Sequence, residues 1–304
     1  MKKKILIIGG TGFLGYHLAK KSLKKKWEVT SVSINKPKKI RFLKKVNYIY
    51  LNIKKKNLIK KKIKLNFDYV VNFGGHVNHK EKNETFHSHY TGCKNLVNHF
   101  SNNNKLKLFL QIGSSVEYGK LKSPQSEEAR IKINNLSSTY GKAKLLATRL
   151  LLKKNKTENF PCLILRPYLI FGPNQDFNRF IPIVIKGCLL DKKFPCSDGE
   201  QYRDFLYVDD FINAVFKCLM NNTAKGKIFN IGSTKPLQLK HVIKQIRKIT
   251  NKGKPQFGKI KMREDETHYL YPDITKLKKK INWSPNVNFN EGLKKTIQFY
   301  KKIL

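Results

Sequence analysis

The chain has 304 residues, with 63 lysines and arginines against 20 aspartates and glutamates, which gives a formal net charge of +43. It is long enough to bury a large core, contains no apolar run approaching the roughly 20 residues that span a bilayer, and starts without a signal-peptide pattern, so we expect a cytoplasmic protein with no membrane segment. Lysine is spread through nearly every predicted element while arginine is scarce, so the charge predicts non-specific polyanion binding and no specific nucleic-acid function.

The chain opens with a predicted strand, a glycine turn and a helix. The apolar run Ile5 to Ile8 enters a turn that fits Gly10-x-Gly12-x-x-Gly15 or Gly9-x-x-Gly12-x-x-Gly15, and apolar residues at helical spacing follow. Residues without a Cβ let backbone N–H groups approach a pyrophosphate, and the helix N-terminus adds donors and partial positive charge. We therefore predict a dinucleotide cofactor. Its predicted contacts in this turn are Gly9, Gly12, Phe13, Leu14 and Gly15.

The next predicted strand, residues 27–34, has no acidic residue at its end. Such a residue, roughly 20 positions beyond the glycine turn, usually binds the ribose hydroxyls of NAD. Here Ser33, Asn35 and Lys36 occupy the strand end, with Arg41 close behind. Small polar and basic groups suit a 2′-phosphate, so we predict NADP(H) in preference to NAD(H). The alternative is that these basic side chains are merely solvated and that the cofactor is NAD.

Further strands and helices alternate along the first half of the chain. We predict strands over 46–51, 68–73 and 106–112, with helices over 54–64 and 84–100 between them. This rhythm predicts a parallel sheet. In the second half we predict helices over 179–192, 209–221, 239–250 and 290–302, and strands over 205–208 and 227–231.

A serine, a tyrosine and a lysine follow the fifth predicted strand. Ser114 lies just beyond the strand end, where an open parallel sheet binds its ligands. Tyr140 and Lys144 are four apart at the start of the next helix, so they share one helix face. A phenol exchanges protons poorly at neutral pH, and an ammonium within about 4–6 Å lowers the pKa of an acid by roughly 1–3 units. The three side chains are therefore predicted to move a proton at an alcohol or ketone while hydride passes to or from a nicotinamide.

Histidines and cysteines offer other chemistry. Four histidines lie between His76 and His89, but an HxxH without a cysteine or acidic ligand pattern is weak evidence for a metal, and we predict no metal site. We place these histidines at the border of a substrate cleft or on the outer face of the 84–100 helix. The five cysteines are dispersed, which predicts reduced thiols used as apolar fillers.

These motifs, in this order, resemble the extended short-chain dehydrogenase/reductases of the epimerase/dehydratase family that act on nucleotide sugars. The matching blocks are GGTGFLG, SSVEYG, YGKAK, LRP leading to FGP, RDFLYVDD, and REDE followed by INWSP. The resemblance covers essentially the whole chain. It implies a Rossmann-type, doubly wound parallel sheet over residues 1–169, with segments of about 201–232 returning to it. Residues 170–304 then form mainly a smaller substrate-binding lobe.

The resemblance also implies roles for individual residues and an assembly. Ser114, Tyr140 and Lys144 take the catalytic roles, and a homodimer through the Tyr140 helix and its neighbour is implied. Further cofactor contacts are Asn52, Ile53 and Gly74, besides Tyr140 and Lys144. Substrate contacts are His76, Ser115, Asn174, Arg179, Arg203 and Arg263, the two last at the diphosphate.

The chain departs from the family pattern at several positions. Ser115-Val116 replaces the Asp-Glu pair of the dehydratases, which argues against 4,6-dehydration. Asn52 replaces a usual Asp beside the adenine, and its carbonyl can still accept a hydrogen bond. Gly74-Gly75 replaces a small Ala pair, and His89 replaces a usual Asn.

Two enzyme functions remain open on the sequence. We favour an NDP-4-keto-6-deoxysugar reductase that uses NADPH to deliver hydride to C4. The alternative is an NDP-hexose 4-epimerase with retained NAD. A third reading is a non-catalytic relative that binds a nucleotide or RNA, which the intact Ser114, Tyr140 and Lys144 oppose.

Overall fold

Thirteen strands and ten α-helices are found in the computed structural model of the chain, which describes residues 2–78, 80–261 and 266–304. The strands are β1 (Lys4–Ile8), β2 (Glu28–Ser33), β3 (Val46–Tyr50), β4 (Tyr69–Asn72), β5 (Leu108–Ile112), β6 (Cys162–Pro167), β7 (Leu169–Phe171), β8 (Lys193–Pro195), β9 (Tyr202–Tyr207), β10 (Lys227–Ile231), β11 (Pro236–Gln238), β12 (Lys254–Gln256) and β13 (Tyr269–Leu270). The helices are α1 (Phe13–Lys24), α2 (Lys56–Lys62), α3 (Lys82–Phe86), α4 (Gly92–Phe100), α5 (Thr139–Glu158), α6 (Phe180–Leu189), α7 (Val208–Met220), α8 (Leu239–Thr250), α9 (Thr275–Ile281) and α10 (Phe289–Lys301).

Seven parallel strands form the central sheet, in the order β10-β6-β5-β4-β1-β2-β3. β1 is an inner strand, with Ile5 paired to Val29 of β2 on one side and to Tyr69 of β4 on the other. The chain therefore winds outward from β1 in both directions, which is the doubly wound Rossmann arrangement. The predicted fold class is confirmed.

The two faces of the sheet carry separate apolar cores. Ile5 and Ile7 of β1 belong to one cluster, together with Leu18 of α1. Leu6 and Ile8 belong to the other, together with Leu96 of α4. Successive side chains of a strand point to opposite faces, so the apolar run of β1 is buried on both sides by helices.

The second lobe is built on β9. β9 pairs in parallel with β7 and β13 and antiparallel with β11, and β8 pairs with β12 in a separate ribbon. Between β9 and β11 the chain returns to the large sheet as β10, which lies beside β6. The sequence pattern predicted β9 only in part and did not predict the two- and three-residue strands, because such short segments carry too little periodicity.

The predicted helix over 84–100 is interrupted. Between α3 and α4 the residues His87–Thr91 form one π-helical turn. A π turn inserts one residue into the helical repeat, so the side chains before and after it are rotated relative to an uninterrupted helix. Among the described residues, no helix has the length and apolar character to cross a membrane.

Candidate active site

The glycine turn between β1 and α1 has the shape of a phosphate cradle. Gly9 has φ +75° and its N–H donates to the carbonyl of Val32 at 2.7 Å, while the N–H of Gly12 donates to the carbonyl of Gly9 at 3.0 Å. A Cβ on Gly15 would overlap the Gly9 carbonyl oxygen and lie 2.6 Å from the Cα of Gly10. The turn therefore admits no side chain at position 15, and helix α1 starts at Phe13, beside the space that a pyrophosphate would take.

The end of β2 presents the polar groups predicted to meet the cofactor ribose. The Oγ of Ser33 accepts a hydrogen bond of 3.2 Å from the N–H of Thr11, which joins the strand end to the glycine turn. Asn35 and Lys36 are exposed beside it. Arg41 is buried, and its guanidinium donates to the carbonyl of Asn174.

The predicted adenine side of the site is formed by the loops after β3 and β4. The Oδ1 of Asn52 accepts from the N–H of Lys54 at 3.0 Å, and the buried Ile53 has its carbonyl bonded to Asn95 at 3.0 Å. The N–H of Gly74 donates to Oδ1 of Asn72 at 2.9 Å. Apart from Tyr140 and Lys144 on α5, the predicted cofactor residues thus lie at or just beyond the carboxyl ends of β1, β2, β3 and β4, where an open parallel sheet binds ligands. The Cβ-free turn fits a dinucleotide.

Ser114 lies two residues beyond the end of β5 and caps a 3₁₀ turn, Ser115–Tyr118. Its Oγ accepts from the N–H of Val116 at 3.4 Å, and its own N–H donates to Oε1 of Glu117 at 2.9 Å. This reciprocal pair is a capping box, which holds the backbone of Ser114 in one orientation. Ser115 is buried behind it.

Tyr140 and Lys144 lie in the first turns of α5, which Ser138 caps by accepting from the N–H of Gly141 at 3.0 Å. Lys144 is only 4% exposed. Its Nζ donates to the carbonyl of Ile112 at 2.7 Å and lies 5.7 Å from the centre of the Tyr140 ring. The ammonium is therefore fixed between the phenol and the end of β5.

Helix α5 and the Ser114 turn are in direct contact. A Cβ on Gly141 would lie 3.0 Å from the carbonyl oxygen of Val116, so a side chain there would push the helix start and the Ser114 turn apart by a few tenths of an ångström. Because Ile112, Ser114 and Val116 are neighbours in one short segment, these contacts join the segment that carries Ser114 to the helix that carries Tyr140 and Lys144. The three predicted catalytic residues thus lie on two elements that touch.

His89, in the π-helical turn, packs against Tyr140. The ring centres are 4.8 Å apart in an edge-to-face arrangement, and Nε2 of His89 lies 3.1 Å from the carbonyl oxygen of His76. The His76 side chain is directed to Glu81, with Nε2 3.2 Å from a carboxylate oxygen. Among the described residues, no group of three or more histidine, cysteine or acidic side chains could hold a metal ion.

Of the predicted substrate residues, Asn174, Arg179 and Arg203 lie on the second lobe, whereas His76 and Ser115 follow strands β4 and β5 of the large sheet. Arg203 is buried, donates to the carbonyl of Tyr202 at 2.7 Å and forms an ion pair with Glu266. Burial lowers the pKa of its guanidinium in spite of this carboxylate. Arg179 is exposed at the start of α6. Arg263 lies outside the described residues.

The loop of Asn174 is held against α1 and the segment that follows β2. Arg41 donates to the carbonyl of Asn174 and pairs with Asp176 at 3.0 Å, and the ring of His17 in α1 lies 2.8 Å from the carbonyl of Pro173. Burial lowers the pKa of His17. The sequence did not predict these contacts, because they join residues more than 130 positions apart.

A seven-stranded Rossmann sheet with a glycine turn after its first strand and a Tyr-x-x-x-Lys helix after its fifth is the architecture of the short-chain dehydrogenase/reductases. The chain belongs to the NAD dependent epimerase/dehydratase family, whose sequence model matches residues 5–232. The family assignment made from the motifs is therefore confirmed, and the protein is an enzyme of this family.

Curated and solved relatives agree with this assignment. The chain is 28% identical to a UDP-N-acetyl-alpha-D-glucosaminuronate decarboxylase of Bacillus cytotoxicus, over 100% of this chain and 99% of that protein. It superposes on the UDP-glucose 4-epimerase of Thermotoga maritima with a TM-score of 0.91 and 23% identity, covering 99% of both chains, which shows the shared fold. A UDP-glucuronic acid 4-epimerase of Bacillus cereus, solved with UDP-glucuronic acid and NAD, gives a TM-score of 0.88 and 25% identity over 99% of this chain and 100% of that one.

Proposed function

We propose that the protein transfers hydride at C4 of a nucleotide-linked sugar, and that it acts as an NADPH-dependent reductase of an NDP-4-keto-6-deoxysugar. The observation that carries the proposal is the fixed Lys144 ammonium, which lies 5.7 Å from the Tyr140 ring and 2.7 Å from the end of the strand that leads to Ser114. This arrangement serves proton exchange at one substrate oxygen. The family and its nucleotide-sugar relatives support the substrate class.

Each of the catalytic side chains has a separate role at the reacting substrate oxygen. The bound nicotinamide cofactor supplies the hydride. The Ser114 hydroxyl holds the C4 oxygen in line, and the Tyr140 hydroxyl gives it a proton as C4 becomes a secondary alcohol. Lys144 stabilises the resulting phenolate by its charge, since opposite charges attract strongly in a water-poor site. Arg203 and Arg263 hold the diphosphate, which suits a bidentate guanidinium.

Reduction with NADPH is favoured by the end of β2. No acidic residue lies between Glu28 and Asp68, and Asn35 and Lys36 are exposed where the ribose would lie. A 2′-phosphate gains from a nearby lysine, whereas a free 2′-hydroxyl gains from a carboxylate that is missing here. Ser115 and Val116 cannot provide the acid and base of a 4,6-elimination, which argues against a dehydratase.

A 4-epimerase that retains NAD is the second candidate. One structural observation favours it: Arg41, the first arginine after the end of β2, already bonds Asn174 and Asp176, and these bonds compete with a 2′-phosphate for its guanidinium. The solved 4-epimerases with this fold also favour it. In this reaction the hydride returns to the opposite face of C4, so no reductant is consumed.

A substrate panel separates the candidates. The protein is incubated with UDP-, GDP-, CDP- and dTDP-linked sugars and their 4-keto derivatives, with NADPH or NADH, and products are identified by mass and chromatography. The reductase consumes one NADPH per 4-keto-sugar. Conversion of an NDP-hexose to its isomer without added reductant identifies the epimerase, and loss of CO₂ identifies a decarboxylase. Cofactor binding with no turnover of any substrate would identify a non-catalytic relative.

Cofactor preference is tested by fluorescence titration with NADPH and NADH. We expect tighter NADPH binding in the wild type and a loss of that preference in Lys36→Glu. Lys60→Glu on the exposed surface of α2 is the control for a general change of charge. Clearly tighter NADH binding in the wild type would end the proposed NADPH preference.

We also propose a homodimer through α5 and its neighbour α4. The exposed face of α5 carries Lys142, Arg149 and Lys153, so two copies of this face repel each other at low ionic strength. We expect dimers that strengthen with added salt in sedimentation velocity. A monomer at every salt concentration would contradict the proposal.

A further inference from the structure

A buried ion pair lies directly beneath the Ser114 turn. Glu117 and Arg166 have side chains that are 0% and 2% exposed. The Nε and Nη2 of Arg166 donate to the same carboxylate oxygen, Oε2, at 3.0 and 2.8 Å. The two residues belong to the motifs SSVEYG and LRP, and neither has a role in the proposed chemistry.

The other carboxylate oxygen of Glu117 faces the catalytic segment. Oε1 accepts from the N–H of Ser114 at 2.9 Å, and a Cβ on Gly113 would overlap Oε1. The carboxylate therefore lies against the backbone of the two residues that carry the chain from β5 to the Ser114 hydroxyl. A shift of the carboxylate shifts that backbone.

The same carboxylate also contacts the helix of Tyr140 and Lys144. The hydroxyl of Thr148, one helical turn beyond Lys144, donates to Oε2 of Glu117 at 2.8 Å. On the far side the Arg166 guanidinium stacks on the ring of Tyr118, 4.7 Å from its centre. One buried side chain thus bonds the Ser114 segment, helix α5 and strand β6.

We propose that Glu117, held by Arg166, is a positioning residue that fixes Ser114 relative to Lys144 and Tyr140. This inference rests on the proposed function, in which these three side chains act on one substrate oxygen. Glu117 has four hydrogen-bond donors around it, on Ser114, Thr148 and Arg166, and takes no part in proton transfer itself. Its effect is geometric, because small displacements of reacting groups lower rates by large factors.

The first test replaces Glu117 by glutamine, which has the same shape. The amide keeps one acceptor oxygen but brings two N–H groups into a site that already holds four donors, so the contacts to Ser114 and Thr148 cannot both persist. We expect kcat to fall about 10- to 100-fold, with KM and cofactor affinity nearly unchanged. Glu158→Gln, a carboxylate on the exposed end of α5, is the control and should leave kcat unchanged.

A double-mutant cycle with Ser114→Ala separates positioning from a general structural effect. If Glu117 acts through Ser114, then Glu117→Gln should lower kcat by less than about 3-fold in the Ser114→Ala background, since the group that it positions is already gone. A loss of the same factor in both backgrounds would overturn the proposal. Thr148→Val removes one donor, leaves the ion pair intact and serves if Glu117→Gln does not fold; it should lower kcat with the same dependence on Ser114.

Amide hydrogen exchange keeps this test separate from the proposed function. The N–H of Ser114 should exchange at least 10-fold faster in Glu117→Gln or Thr148→Val than in the wild type, while the amides of β4 are unchanged. This result is readable even if no nucleotide sugar is turned over, which would refute the proposed function alone. Equal exchange rates at Ser114 in wild type and variants would overturn the positioning role.

Discussion

The ammonium of Lys144 is bonded to the carbonyl oxygen of Ile112 at 2.7 Å, and Ile112 is the last residue of the strand that leads to Ser114. This bond gives Lys144 two functions. It fixes the start of α5 on the sheet, and it holds a positive charge beside the Tyr140 ring.

Replacing Lys144 by methionine should therefore lower both turnover and stability. The Ile112 carbonyl keeps the bond from Nε2 of Gln111 at 3.0 Å but loses the one from the ammonium. Loss of a hydrogen bond to a charged group lowers the free energy of unfolding by about 1.5–3 kcal/mol. The fall in turnover should be larger than the loss of folded protein explains, since the phenolate of Tyr140 loses its neighbouring charge. Urea unfolding and steady-state kinetics measure the two effects. Lys142→Met, exposed on the same helix, should change neither, and equal behaviour of the two variants would contradict the assigned role.

Tyr140→Phe removes only the hydroxyl that exchanges the proton. We expect cofactor binding to stay within a few-fold of the wild type and kcat to fall by about 10²- to 10⁴-fold, which is typical of a general acid or base. Fluorescence titration and initial rates measure these quantities. Tyr50→Phe, on the exposed edge strand β3, is the control. Unchanged turnover in Tyr140→Phe would remove the catalytic role of this residue.

Two alanine substitutions in the glycine turn should differ in their effect on folding. At Gly15 the new Cβ would lie 2.6 Å from the Cα of Gly10, whereas at Gly12 its nearest contact is the Gly9 carbonyl oxygen at 3.2 Å. Gly15→Ala should lower the free energy of unfolding by about 1–3 kcal/mol and abolish cofactor binding. Gly12→Ala should be closer to the wild type in urea unfolding. Equal stability of the two variants would show that the turn can move to accept a side chain at position 15.

Asp204 should make stability depend on pH. Burial raises the pKa of its carboxyl to about 6, although it accepts bonds from the N–H and Oγ of Ser233 at 2.7 and 3.0 Å. The folded state therefore binds a proton that the unfolded chain, with a pKa near 4, has already lost. The contribution of Asp204 to stability is highest below pH 4, falls as pH rises to about 6, and is constant above that, a total of about 3 kcal/mol.

The Asp204→Asn variant isolates this contribution. The difference in unfolding free energy between wild type and variant, measured in urea at pH 4.5, 5.5 and 6.5, should move against the wild type as pH rises. Asp209→Asn, an exposed carboxylate on α7, should leave the slope unchanged. Parallel pH profiles for wild type and Asp204→Asn would show that the carboxyl titrates normally.

The features that sequence predicts are those set by local patterns. The apolar run Ile5 to Ile8, the glycines after it and the four-residue spacing of Tyr140 and Lys144 each specify structure within one turn or one element. These local patterns were enough to predict the Rossmann sheet and the protein family. The π-helical turn at His89 was not predicted, because nothing in the side-chain pattern marks one inserted residue in a helix.

Contacts between segments that are distant in the chain could not be predicted from the sequence and became visible only in the structure. Glu117 and Arg166 are 49 positions apart, and Arg41 and Asn174 are 133 apart. The sequence shows only an acidic and a basic residue in a chain that is rich in lysine, and many pairings are possible. Which of these pairs form depends on how β5, β6 and the second lobe pack against each other. This packing depends on the apolar core as a whole.

The position of β10 determines which fragments of the chain can fold on their own. Residues 227–231 complete the large sheet beside β6, although β7, β8 and β9 of the second lobe lie between β6 and β10 in the chain. A fragment that stops near residue 169 would keep β6 paired with β5 but leave its other edge unpaired and open to association with other molecules. Limited proteolysis or truncation should thus yield insoluble pieces, and two halves of this enzyme should become soluble only when they are produced together.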